Sequence, residues 1–132
     1  MPEHRHCIRV RYVESDQMGV AHHSAYVAWL EEARIEWLRT VGQSYRELET
    51  AGVLMPVIEL GVTYKRSFRF DDELDLVTSA AVLGRTRVEF MTRFLLAGES
   101  EVRAEGRVVI AAVGRDGRPQ RIPAALVAIL AG

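Results

Sequence analysis

Between Ser15 and Arg34 the sequence reads SDQMGVAHHSAYVAWLEEAR, with one acid, Asp16, one glycine, Gly19, and two adjacent histidines, His22 and His23, immediately ahead of an amphipathic stretch. A carboxylate there has two uses. It turns or caps the chain before a helix, or it acts as a nucleophile or general base. The chemical use gains from its surroundings, because free N–H groups at a helix N-terminus stabilise an oxygen that acquires negative charge. Gly19, without a side chain, lets the loop come close to a bound molecule. Metal chemistry fits these residues poorly. Adjacent histidine side chains diverge, and neither this pair nor His4 and His6 has the spacing of a zinc site, so no metal is expected.

The helix that would position this loop has its apolar residues Tyr26, Leu30, Ala33, Trp37 and Val41 at spacings of three and four. Ser24 stands where an N-cap belongs, and Gly42 where the helix should stop. Glu31, Glu32, Glu36 and Arg39 fall on the opposite side, and Ile35 among them is a candidate subunit contact. Trp29, beside the apolar stripe, reads as core or interface. Upstream, Cys7 to Val13 alternates apolar and basic residues as a half-buried strand does, carries Tyr12, and ends at Glu14.

Downstream, SYRELETAG predicts a short helix from Ser44 to Ala51. Ile58, Leu60, Val62 and Tyr64 then alternate with polar residues in a long strand that continues toward Phe70. A strand beginning at DELDL stops at Gly84-Arg85, the next spans Val88 to Leu96, and the last runs from Val102 to Val113. The final PAALVAIL predicts a terminal helix. Short connections imply antiparallel neighbours, and one helix with one apolar stripe is best buried across one face of a sheet. The expected class is α+β, in one domain spanning residues 1–132.

Composition narrows the function classes. Seventeen basic and eighteen acidic residues are interspersed, for a net charge of −1, without the clustered basic footprint of a nucleic-acid binder. The single cysteine, Cys7, allows no internal disulfide and suits a reducing compartment. No apolar run has signal-peptide form or approaches the roughly 18 residues that span a bilayer. The expected location is the cytoplasm, with no membrane partner.

The stretch YVESDQMGVAHHSAY, followed by VAWLEEARIEWL and later by VTYKRSFRFDDEL, resembles the acyl-CoA thioesterases of the 4-hydroxybenzoyl-CoA thioesterase and YbgC-like group. The likeness covers nearly the whole chain. Its most specific part is an aspartate followed by glycine at the third position, histidine at the seventh and tyrosine at the tenth; FDDEL is a weaker match.

The resemblance implies a hotdog fold, a five-stranded antiparallel sheet wrapped around one long helix. It also implies homodimers with a continuous sheet and active sites at the subunit interface, assembling to homotetramers, with no cofactor. Asp16 would be the nucleophile or the general base in acyl-CoA hydrolysis, two routes that stay open. The His23 amide would polarise the thioester carbonyl, with Tyr12 beside the acid and Gly19, Val20 and Tyr26 against the substrate. His22 is not expected to be essential.

Lys65, Arg66, Arg85 and Arg87 are candidates for the coenzyme A phosphates, or plain surface charge. An acyl-carrier-protein thioester is an alternative donor. The rival reading is a hotdog protein that binds acyl thioesters without hydrolysing them. A dehydratase on the same fold is disfavoured, because the helix stretch AYVAWLEEARIEW has no histidine.

Overall fold

A computed structural model describes residues 3–131. Its elements are β1 (Glu3–Arg9), α1 (His23–Thr40), α2 (Tyr45–Thr50), β2 (Val57–Tyr64), β3 (Glu73–Leu83), β4 (Arg87–Leu96), β5 (Ala104–Ala111) and α3 (Ala124–Ala131). The five strands form one sheet in the order β1-β3-β4-β5-β2, with every neighbouring pair antiparallel. With α1 lying across it, this is the expected hotdog arrangement.

The core follows from period-2 alternation in β4 against β3, which is buried on both faces from Leu74 to Thr78. Leu76 pairs with Phe94, Thr78 with Thr92 and Ala80 with Phe90, and all six are buried. The two threonine hydroxyls lie 2.9 Å apart, each satisfying the other inside the apolar layer. Against this layer α1 buries Tyr26, Trp29, Leu30, Ala33 and Trp37. Gly106 on β5 makes the close approach possible: a Cβ there would lie 2.5 Å from Leu30 Cδ2. Leu126 and Leu130 of α3 complete the same core.

Several boundaries differ from the sequence reading. The first strand ends at Arg9, and Tyr12–Glu14 forms a 3-10 turn, so Tyr12 is not in a strand. The cause is Glu14, whose carboxylate accepts the Arg11 amide at 2.7 Å and folds the chain back on itself. The helix is capped by His22 rather than Ser24: the His22 side chain accepts the Ser24 amide at 3.1 Å. The second strand stops at Tyr64, short of Phe70, because the Lys65 and Arg66 amides both bond to the Arg103 carbonyl and the ladder ends there. The short second helix begins at its Ser44 cap and ends at Ala51, as read.

On β2 the apolar alternation is present, yet Ile58, Leu60 and Tyr64 remain exposed. The helix crosses β1, β3 and β4, and β2 sits at the far edge of the sheet. The other edge, β1, presents Arg5 and Arg9, charges that discourage further strand pairing. No helix among the described residues is long and apolar enough to cross a membrane.

Candidate active site

The loop between the 3-10 turn and α1 is built around Asp16. Its Oδ1 accepts the amides of Met18 at 2.8 Å and Val20 at 3.3 Å, while its own amide donates to the Val20 carbonyl. Gly19 occupies the left-handed region at φ 79°, which closes this tight turn without strain. Among the described residues Oδ2 has no hydrogen-bond partner, so one carboxylate oxygen holds the loop while the other is available to a ligand.

The loop is fastened to the fold on both sides. Val20 bridges to Arg69, and the Ala21 amide donates to the Phe68 carbonyl at 2.8 Å. Beneath it, Glu14 accepts the indole N–H of Trp29 at 2.9 Å, and its carbonyl accepts the His22 amide at 2.7 Å. Burial opposes ionisation of Glu14, but the hydrogen bonds from Arg11 and Trp29 outweigh it and hold the carboxyl below the usual carboxylate range.

At the start of α1 the amides of His22, Ser24 and Ala25 go to the Glu14 carbonyl, the His22 ring and the His22 carbonyl. The His23 amide has no acceptor among the described residues. A cavity of about 310 Å³ is lined by Asp16, His23 and Tyr26, with Tyr64, Lys65 and Arg66 on its other side. The Tyr64 hydroxyl donates to the His23 carbonyl at 3.1 Å. Tyr26, edge-on to Tyr64, is almost fully buried, and burial raises its phenol pKa, so the ring is a neutral wall.

Of the residues singled out in the sequence, Asp16, His23 and Tyr26 share this cavity. Tyr12 and Gly19 instead line a second depression on the other side of Asp16, where Tyr12 stands edge-on to Phe70 and is 79% exposed. Val20 contributes its amide to Asp16. Lys65 and Arg66 reach the Asp16 cavity, paired there with Glu105 and Glu101; Arg85 lies by α3, away from it.

Glu14 was not anticipated as part of the site. Its position three residues after Arg11 has the spacing of a capping box, the one local signal available. The His22 and His23 rings lie 4.1 Å apart, and among the described residues no three His, Cys, Asp or Glu side chains come together as a metal site.

Comparison with known proteins agrees with the fold. The chain is 37% identical to a putative acyl-CoA thioesterase, YneP, of Bacillus subtilis over 49% of its own length and 47% of that protein's. It thus spans about half of that relative. It is 32% identical to the acyl-CoA thioester hydrolase YbgC of Escherichia coli over 92% of this chain and 90% of that one. A solved DHNA-CoA thioesterase of Staphylococcus aureus superposes with a TM-score of 0.85 at 29% identity, over 92% of this chain and 81% of that one. The family match covers residues 18–111, from just after Asp16 to the end of β5. On that match, and on the fold that surrounds the Asp16 loop, this chain belongs to the Thioesterase superfamily.

Proposed function

We propose that the protein hydrolyses acyl-CoA thioesters to a carboxylic acid and free coenzyme A. The observation that carries this reading is the pairing, on one cavity, of the free Asp16 carboxylate oxygen with the acceptor-free amide of His23 at the start of α1. Sulfur donates weakly into a carbonyl, so a thioester needs only a placed carboxylate, polarisation of its oxygen and room for the leaving thiol. The names of the relatives support this substrate class.

In this reading the thioester oxygen accepts from the His23 amide as it gains charge. Asp16 Oδ2 either attacks the carbonyl carbon, giving an anhydride that water then opens, or takes a proton from the water that attacks. On both routes the C–S bond breaks and the thiolate leaves as coenzyme A, taking up a proton. Tyr26 walls the acyl side, and Lys65 and Arg66 stand where an anionic cofactor portion would enter. An acyl-carrier-protein thioester would use the same chemistry.

The uncovered apolar edge of β2 supports a homodimer in which two β2 strands pair antiparallel and extend the sheet; pairs of dimers would form the tetramer. A strand edge bearing exposed Ile58 and Leu60, with Glu59 its one charge and that charge paired with Arg107, is otherwise an aggregation liability.

The test is thiol release from a panel of aromatic, short-chain and long-chain acyl-CoAs by the protein and its Asp16→Asn variant. Hydrolysis lost in the variant is expected. Tight binding of acyl-CoA without turnover would favour the binding-protein reading instead.

A further inference from the structure

A second cavity, of about 510 Å³, opens between α1, α2 and the segment leading into β2. Ile35, Leu54, Met55 and Val113 form apolar walls, and Arg34 and Tyr45 supply the polar floor. Arg34 is only 7% exposed, although it carries a permanent charge. Its Nε donates to the Tyr45 hydroxyl at 2.9 Å, and among the described residues that is its one side-chain hydrogen bond, with no carboxylate at ion-pair distance. The terminal guanidinium nitrogens therefore line the cavity as donors without protein acceptors. Tyr45 accepts from Arg34 and keeps its own O–H to donate; burial raises its pKa and holds it in that protonated form.

Two acids, Glu31 and Glu49, also border the cavity, and both are exposed. Counted with Arg34, the lining carries one positive and two negative charges, an excess of one negative charge. A carboxylate entering here would meet repulsion at the rim. A hydroxyl suits the lining better, because it accepts from Arg34 and Tyr45 and donates to a rim carboxylate.

Within one chain this cavity is far from Asp16. Tyr64 borders the Asp16 cavity and Pro56, next to Val57, borders this one, at opposite ends of β2 and about 26 Å apart at strand rise. Antiparallel pairing of two β2 edges about a two-fold axis reverses that separation. It sets the Tyr64 end of one subunit beside the Val57 end of the other.

We propose that this cavity receives the far end of the acyl group held in the partner subunit's Asp16 site, and that Arg34 and Tyr45 select acyl chains ending in a hydroxyl. This rests on the thioesterase reading and on β2 pairing. Arg34 and Tyr45 are specificity residues: they touch the tail, never the reacting carbonyl.

The experiment compares kcat/KM for straight-chain acyl-CoAs matched in length and ending in methyl, hydroxyl or carboxylate, with the intact protein and its Arg34→Met and Tyr45→Phe variants. The expected result is a preference of at least about 10-fold for the hydroxyl end over methyl, the size of a hydrogen bond to a charged donor. The carboxylate should be poorest, and the hydroxyl-to-methyl ratio should fall toward one in Arg34→Met and decrease in Tyr45→Phe.

Asp16-dependent hydrolysis with no hydroxyl preference overturns the inference while leaving the thioesterase reading intact, as does a ratio unmoved by both variants. Absence of hydrolysis on every chain overturns both. Should Arg34→Met fail to fold, the ratio in the unaltered protein and in Tyr45→Phe decides.

Discussion

The Glu14 carboxylate and the Trp29 indole N–H, 2.9 Å apart and buried, tie the turn before the Asp16 loop to the second turn of α1. The same residue takes the His22 amide on its carbonyl, so one glutamate sets both the loop and the start of the helix. Glu14→Ala should cost about 1–3 kcal/mol, because it strands the Trp29 and Arg11 donors.

The Glu14 contribution carries a pH signature. Its folded-state pKa lies below the ordinary 4.5, so the unfolded chain takes up the proton first as acid is added. The stabilisation is whole above about pH 4.5 and is lost as pH falls through the lower, folded-state value. Thermal unfolding across pH should show Glu14→Gln less stable than the parent at neutral pH, with the gap closing in acid. A gap independent of pH would refute the assignment.

Two substitutions separate the loop-building oxygen of Asp16 from the reactive one. Asp16→Asn keeps a carbonyl oxygen for the Met18 and Val20 amides, so the fold should persist while turnover drops by at least about 100-fold. Asp16→Ala removes both functions and should also loosen the turn, seen as faster amide exchange at Met18 and Val20. Near-normal turnover in Asp16→Asn would remove this carboxylate from the mechanism.

The adjacent histidines should divide stability from activity. His22→Ala loses the cap on Ser24 and should cost about 1 kcal/mol with little change in turnover. His22→Asn should restore much of that stability. His23→Ala, which alters the wall of the Asp16 cavity, should instead lower turnover. Equal kinetic losses in the two alanine variants would undo this division.

Gly106→Ala is expected to be disruptive although it adds one methyl. The new Cβ would sit 2.5 Å from Leu30 Cδ2, so the side chain of Leu30, only 2% exposed in the core, would have to shift. A loss of about 1–3 kcal/mol in denaturant unfolding is expected; a neutral effect would mean that the helix can lift from the sheet freely.

Leu60→Glu places a charge on the exposed edge of β2. Sedimentation should show a dimer for the parent and a monomer for the variant, and activity should disappear with the dimer if sites are shared. An active monomer would contradict shared sites.

Much of this was legible in the chain itself. Strand alternation identified β2, β4 and β5, the three-and-four spacing identified α1, and the family resemblance carried by Asp16, Gly19, His23 and Tyr26 marked the loop where the free carboxylate oxygen and the free amide now lie. These are signals of local periodicity and spacing, which each segment carries alone. Tertiary structure alone decided that the alternating face of β2 stays uncovered, because coverage depends on where α1 crosses the sheet. It likewise turned Glu14 from a strand terminus into the anchor of the site, and buried the charged Arg34 together with Leu30, Ala33 and Trp37. Burial of a polar side chain is set by what packs over it and by the hydrogen bonds that compensate it, and in this chain those partners come from α1 and α2, distant in sequence.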